Sequence, residues 1–159
     1  MGGNIIKRVG ILALVLVAVL LTGCLSPKIT FSILPKTINI SFDTEEVELK
    51  AEVKMSGFGS YIIEQAALEL LDEEGESVLK EPKVYTVNQK VTVVPIGSVF
   101  KPQVPIATLR LADVYAEILD GQELTEDLYN SELKGRIYTL KITLMGTTNP
   151  SAEATLEFK

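Results

Sequence analysis

The chain has 159 residues, of which 21 are acidic and 15 are basic, and it contains one cysteine and no histidine or tryptophan. Without histidine it cannot carry a Ser-His-Asp or Cys-His catalytic system or a histidine-ligated metal, and one cysteine cannot form an internal disulfide. A net charge of −6 disfavours nucleic acid and anionic lipid head groups as partners, because both would be repelled.

The first 23 residues have the pattern of an export signal. Lys7 and Arg8 form a short positive start, residues 11–21 form an uninterrupted apolar run, and the small residues Thr22 and Gly23 follow. A membrane-spanning helix needs about 20 apolar residues, which is more than this run offers. We therefore interpret residues 1–23 as a signal peptide rather than a retained transmembrane helix.

The order Leu21-Thr22-Gly23-Cys24 resembles the lipobox of bacterial lipoproteins. This resemblance implies that a diacylglyceryl group is attached to the thiol of Cys24, that the chain is cut before Cys24, and that the new N-terminus receives a further chain such as palmitate. Two or three acyl chains would anchor the protein stably to a cell membrane or outer membrane, facing outside the cytoplasm. The alternative is that Cys24 is an ordinary small residue near a cut made elsewhere.

After a short lipidated tether over residues 24–27, the remaining residues 28–159 are predicted to form a single domain. Apolar residues alternate over 29–33 and again over 38–42, with Pro35 between them, which predicts two short strands broken by proline at a sheet edge. Residues 47–55 alternate between apolar and charged side chains and predict a strand with one face in water.

The next segment, residues 62–71, fits a strand or a helix, and its context favours a strand. Asp72-Glu73-Glu74-Gly75 predicts a polar turn with glycine at positive φ, and Val78 and Leu79 are interpreted as the start of the returning strand of a hairpin.

A further hairpin is predicted from the β-branched runs 84–87 and 91–96, separated by Asn88-Gln89-Lys90. Pro95, Gly97, Pro102 and Pro105 are expected to break any regular element.

The last third of the chain is predicted to hold a helix and then a hairpin. Residues 109–119 fit a strand or a helix, and a helical stripe favours a helix that ends at Asp120-Gly121. A short helical turn is predicted over 125–131. Alternation over 138–144 and 152–158 then predicts an antiparallel hairpin.

These elements predict a mostly β fold, an antiparallel two-sheet β-sandwich in which one short helix can precede the last two strands. The segment Gly135-Arg136-Ile137-Tyr138-Thr139-Leu140 resembles the entry to the penultimate strand of immunoglobulin-like and fibronectin type III-like domains. That resemblance implies that Tyr138 hydrogen-bonds to the backbone upstream and that Leu140 is a core residue. A weaker resemblance is to the late-embryogenesis-abundant type 2 domain, whose helix before the last strands residues 109–119 would supply.

No catalytic, metal-binding or cofactor-binding residue is predicted. Two groups of acidic residues are candidate calcium sites, but residues 72–76 do not have the spacing of an EF-hand loop, and solvated turns explain both groups better. The second group is Glu123, Glu126, Asp127 and Glu132.

The aromatic residues could form an exposed platform for a sugar or peptide, although strand spacing favours a place in the core. They are Phe58, Phe100, Tyr61, Tyr85, Tyr115 and Tyr129. Phe58, between two glycines in a predicted turn, is the strongest contact candidate.

The function predicted from these observations is that of a membrane-anchored envelope lipoprotein with a non-catalytic β-sandwich module. Its partners would be the membrane, through the lipid, and another envelope protein or a cell-surface polymer, but not nucleic acid. Two alternatives stay open. One is a glycan-active enzyme with a pair of catalytic carboxylates, and the other is a protective domain of the late-embryogenesis-abundant kind.

Overall fold

The computed structural model describes residues 28–56, 59–93 and 101–159, and these form a β-sandwich with short helices before the last two strands. Residues 1–27 with Cys24, and also Phe58 and Phe100, lie outside the described residues. The elements are β1 (Lys28–Leu34), β2 (Thr37–Ile40), β3 (Glu46–Ser56), β4 (Gly59–Leu71), β5 (Lys83–Val93), β6 (Gln103–Arg110), α1 (Leu111–Ile118), α2 (Glu126–Leu128), a π-helical turn (Tyr129–Leu133), β7 (Ile137–Gly146) and β8 (Ser151–Phe158).

The two sheets have the strand orders β1-β3-β6 and β2-β8-β7-β4-β5. The predicted proline break is confirmed, since Pro35 lies where the chain passes from the edge of the first sheet to the edge of the second. One pair departs from the antiparallel prediction, because β2 pairs with β8 in parallel. Thr37 pairs with Thr155 and Ile40 pairs with Phe158, so these two strands run in the same direction.

The hydrophobic core lies between the sheets and is supplied by one face of each long strand. In β3 the side chains of Leu49, Ala51 and Val53 are buried, whereas Glu48 and Lys54 are exposed, as the alternation predicts. The same alternation holds in β7, where the buried residues are Tyr138, Leu140, Ile142 and Leu144. The predicted core position of Leu140 is therefore confirmed.

The ambiguous segment 62–71 takes the predicted strand form, and the segment 109–119 is helical from Leu111, whereas Leu109 and Arg110 end β6. Residues 62–71 belong to β4, which lies between β7 and β5. Residues 111–118 form α1, which ends where Asp120 and Gly121 adopt positive φ values of 49° and 81°. Thr125 then begins α2 by accepting a hydrogen bond from the backbone N–H of Leu128 at 3.2 Å. No helix in the described part of the chain is long and apolar enough to cross a membrane.

The predicted hairpin around residues 88–90 is wrong, because β5 runs unbroken from Lys83 to Val93. Asn88 has a φ of 50°, and the pairing with β4 places two β5 residues opposite the single residue Glu64. This is a β-bulge in an edge strand, and asparagine tolerates the positive φ that such a bulge needs. Val78 and Leu79 do not start the returning strand either, since β5 begins at Lys83. Next to β4 the returning chain forms the bridge between Ser77 and Leu71 and a hydrogen bond from the Val78 N–H to the Leu70 oxygen, at 2.8 Å.

Pro105 was predicted to break regular structure, but it lies inside β6. The pairing of β6 with β3 shifts by one residue at Lys50, so that Pro105 lies at a bulge. Since β6 is an edge strand, the missing proline N–H costs the sheet little.

A tyrosine does tie distant backbone together, but it is Tyr129 and not the predicted Tyr138. The Tyr129 hydroxyl donates to the main-chain oxygens of Ile40, at 2.8 Å, and Lys159, at 3.0 Å, which links the end of β2 to the end of the chain. The ring of Tyr138 packs edge-on against Phe158, and within the described residues its hydroxyl makes no hydrogen bond.

The hydroxyls of Tyr129 and Tyr115 are both buried, but only that of Tyr129 has hydrogen-bond partners among the described residues. Replacing each tyrosine by phenylalanine is therefore expected to change the free energy of unfolding in different ways. Tyr129→Phe removes a bonded hydroxyl and is expected to lower the free energy of unfolding by about 1 kcal/mol. The Tyr115 hydroxyl is buried without a partner among the described residues, and burial raises the pKa of Tyr115 to about 12. Tyr115→Phe should therefore leave the free energy of unfolding unchanged or raise it. Urea unfolding measures both, and a larger loss for Tyr115→Phe would contradict these hydrogen-bond assignments.

Candidate functional site

A cleft of about 420 Å³ opens at one end of the sandwich, between the β4–β5 connection, the end of α1 and the start of β7. We call it the acidic cleft. Its charged lining residues are Asp72, Glu73, Glu74, Glu117, Glu132 and Arg136. The sequence distributes these residues over three separate segments, and the fold brings them together.

The first wall is the turn after β4. The Asp72 carboxylate accepts hydrogen bonds from the backbone N–H groups of Glu74, at 3.0 Å, and Glu76, at 2.8 Å. Gly75 has a φ of 81°, so the predicted polar turn is confirmed. Because Asp72 fixes the turn, the exposed carboxylates of Glu73 and Glu74 are left free of any role in shaping it.

The second wall is formed by α1 and the residues before β7. Glu117 lies in the last turn of α1 and is half-buried. An ion pair between Lys80 and Asp120, at 3.7 Å, connects this wall to the first. Arg136 lies 4.0 Å from Glu132 on the preceding turn, and both side chains are more than half exposed, so this pair contributes little to stability. Arg136 thus stays accessible from the cleft.

Tyr138 lies at the bottom of the cleft, and 6% of its surface is exposed. Burial raises the pKa of Tyr138, Arg136 lowers it, and the carboxylates of Asp72 and Glu73 raise it. These three charged groups and Tyr138 all line the cleft. The described residues give the Tyr138 hydroxyl no hydrogen-bond partner, so it is available to a bound molecule.

The negative charge of the domain is concentrated at this end. Residues 72–83 and 111–136 together hold twelve carboxylates and four basic side chains, which are Lys80, Lys83, Lys134 and Arg136. The rest of residues 28–159 holds nine acidic and nine basic side chains and is neutral. The cleft therefore lies in a strongly negative potential that the rest of the domain does not share.

The acidic cleft and the start of the domain lie at opposite ends of the strands. Lys28 pairs with Ser56, next to the start of β4, whereas the cleft follows the end of β4 at Leu71. The 13 residues of β4 cover roughly 40 Å at about 3.3 Å per residue. The two ends are therefore separated by nearly the whole length of the sandwich.

The other residues considered from the sequence fall into different places. Among the described residues, no group of three or more acidic side chains is arranged to hold a metal ion. Glu132 joins the acidic cleft, whereas Glu123, Glu126 and Asp127 do not line it. Of the aromatic residues, Tyr61, Tyr115 and Tyr129 are core residues and Tyr85 is partly buried.

A larger groove of about 820 Å³ lies between the edge strands β5 and β6. Its lining carries both signs of charge, with Glu46, Glu48 and Asp113 balanced in part by Arg110. Tyr85 in this groove is only partly buried. The groove therefore lacks both features that distinguish the acidic cleft, five carboxylates against one basic group and the nine-tenths buried side chain of Tyr138.

Sequence reasoning missed the roles of Glu117 and Tyr138 at this site. In the sequence, Glu117 is an ordinary polar residue of the predicted helix, and Tyr138 fits the alternation of buried residues in its strand. The one available signal was the high local density of carboxylates in residues 72–76 and 111–136, which does not reveal that the two segments meet.

No known protein-family profile matches the chain, and no curated protein matches it significantly. Among solved structures it is similar to the periplasmic chaperone SfaE (TM-score 0.39, 7% identity, covering 83% of this chain and 57% of that one). It is also similar to the CARDB domain of a Pyrococcus furiosus protein in complex with di-metal ions (TM-score 0.34, 13% identity, 83% and 93%). A third match is a 1.5-MDa bacterial ice-binding adhesin (TM-score 0.29, 15% identity, 85% and 33%). At these TM-scores the matches assign neither a family nor a function.

The position of the Tyr138 hydroxyl predicts how its titration responds to the charges of the cleft. Arg136→Gln removes a positive charge that favours the tyrosinate and should raise the pKa of Tyr138. Glu73→Gln removes a negative charge that disfavours the tyrosinate and should lower it. Absorbance at 295 nm against pH, with Tyr138→Phe subtracted in each background, isolates this residue. If neither variant changed the pKa of Tyr138, the Tyr138 hydroxyl would not lie at the cleft.

Proposed function

We propose that this chain is a membrane-anchored envelope lipoprotein whose β-sandwich is a non-catalytic binding module. The observation that carries the proposal is the order Leu21-Thr22-Gly23-Cys24 at the end of an apolar leader, a few residues before a folded domain. A thiol in this position is the acceptor that the lipobox resemblance implies.

The geometry of the sandwich is compatible with such an anchor. Three residues separate Cys24 from Lys28, where β1 begins, and a fully extended chain spans these four Cα–Cα steps in about 14 Å. The end of the domain that carries Lys28 would then lie close to the bilayer, and the acidic cleft would face away from it. At roughly 40 Å the cleft is several Debye lengths from anionic head groups, so its charge would not oppose anchoring.

Binding rather than catalysis is supported by the side chains of the cleft. The chain has no histidine, and its one cysteine is assigned to the lipid. Asp72 and Glu117 are half-buried, while Glu73, Glu74 and Glu132 are exposed. Carboxylates in such surroundings suit the attraction of a charged partner, whereas a catalytic acid is usually found in a buried, apolar environment.

Replacement of Cys24 tests the anchor. Cys24→Ala is expected to abolish acylation and to shift the protein from the membrane fraction to the soluble fraction in high salt, because no other residue would carry the lipid. Intact mass measurement and fractionation report the two effects. Ser26→Ala, two residues later in the tether, is the matched control and should stay acylated and membrane-bound. An unmodified N-terminal residue other than Cys24 in the wild-type protein would refute the proposal.

A second candidate function is a glycan-active enzyme with a carboxylate pair, and the meeting of five carboxylates in one cleft favours it. Glycosidase activity should then appear as release of reducing sugar from cell-wall or surface polysaccharide. Glu117→Gln, which changes a half-buried carboxylate, should abolish that release, and Glu153→Gln, which changes an exposed carboxylate that does not line the cleft, should not. Absence of any release by the wild-type protein would remove this candidate.

A further inference from the structure

We infer that the acidic cleft binds a lysine- or arginine-rich segment of a partner protein outside the cytoplasm. The inference rests on the proposed function for where that partner is met. The cleft itself, and the chemistry of what it binds, are argued from the described residues alone.

The first argument is the sign and density of the charge. Five carboxylates and one guanidinium line the cleft, and Arg136 is partly compensated by Glu132. Each of these carboxylates attracts a cationic ligand and strengthens its binding, whereas an anionic ligand would be repelled. Because the rest of the domain is nearly neutral, a basic segment would be steered to this end and not to the other.

The second argument is the Tyr138 hydroxyl. The Tyr138 side chain is nine-tenths buried and lines the cleft, and among the described residues its hydroxyl has no hydrogen-bond partner. Unlike the hydroxyl of Tyr115, it is not one of the fully buried, unbonded oxygen atoms, so a molecule in the cleft can reach it. The hydroxyl oxygen of Tyr138 can accept a hydrogen bond from an ammonium or guanidinium group entering the cleft. The ligand would thereby supply the partner that the described chain does not.

The third argument separates a side chain from a bare metal ion. No group of three or more acidic residues in the described ranges is arranged for metal binding. The cleft volume of about 420 Å³ falls in the range of pockets that hold small organic groups. Val78 and Ile118 add apolar surface to the lining, against which the methylene stem of lysine or arginine can pack.

Binding of a labelled hexa-arginine peptide to the full-length lipoprotein in uncharged detergent tests this inference. Fluorescence anisotropy would compare the wild type with Glu73→Gln/Glu74→Gln/Glu117→Gln, which neutralises the cleft and spares the turn-forming Asp72. The matched control is Glu45→Gln/Glu64→Gln/Glu153→Gln, which removes the same charge from exposed positions elsewhere. We expect the cleft variant to bind at least about tenfold more weakly and the control to stay within about twofold.

Tyr138→Phe provides a second measurement, because it keeps the buried ring and removes only the hydroxyl. Loss of one hydrogen bond predicts binding that is about two- to tenfold weaker. Circular dichroism spectra of all variants should match the wild type, since the neutralised carboxylates form no ion pairs among the described residues.

Three results would overturn the inference. Equal losses in the cleft and control variants would show that the peptide responds only to net charge. Calcium at millimolar concentration that binds the wild type, but not the cleft variant, and displaces the peptide would indicate a metal site instead. Absence of peptide binding by a protein whose Cys24 is acylated would refute this ligand class and leave the lipoprotein function standing.

Discussion

The structure depends on the burial of one apolar face of each long strand between the two sheets. No disulfide can form within the chain, so this packing has to supply the stability. The described core runs through every long strand and continues into α1 and the π-helical turn, where Leu111 and Leu133 are fully buried. The same constraint fixes strand register, because a shift by one residue would turn the apolar face of β3 or β7 toward water.

The direction of the chain through this core makes the two ends of the sandwich chemically different. The β3–β4 connection lies at the end where β1 starts, and the β4–β5 connection, α1 and the approach to β7 lie at the other. Acidic residues are concentrated in the connections of the second end, where neither sheet restrains their side chains. The placement of charge thus follows from topology, since only connecting segments can gather polar groups from distant parts of the sequence at one end.

Alternation of apolar and polar residues was enough to predict β3, β7 and β8, because each has one face in the core and one in water. It was not enough at the edges of the sheets. In β5 the residue Asn88 is compatible with a turn or with a bulge. It forms a bulge because β5 pairs with the continuous strand β4 on both sides of it. Pro105 is likewise compatible with a strand only because β6 has a free edge, which is a property of the sheet order.

The site was less predictable than the fold because its residues come from three segments of the chain, and the local structure of each segment already explains its residues. Asp72 and Gly75 are explained by the turn that they form, and their neighbours look like the usual polar surface of a connection. Tyr138 satisfies the core pattern of β7 and gives no sign that its hydroxyl lies at a cleft. The interatomic contacts that define the site appear only when the segments pack together.

Local stability explains some of these acidic residues and leaves others unexplained. Glu126 and Asp127 lie in the first turn of α2, where the positive end of a helix dipole favours them, although a helix of one turn gains little. Glu117 lies in the last turn of α1, where the dipole is negative and the turn has no basic residue to offset it. Glu73 and Glu74 add further negative charge across the cleft from Glu117. A chain that places carboxylates where they repel one another and oppose a helix end loses folding free energy, and a ligand that neutralises them restores it on binding.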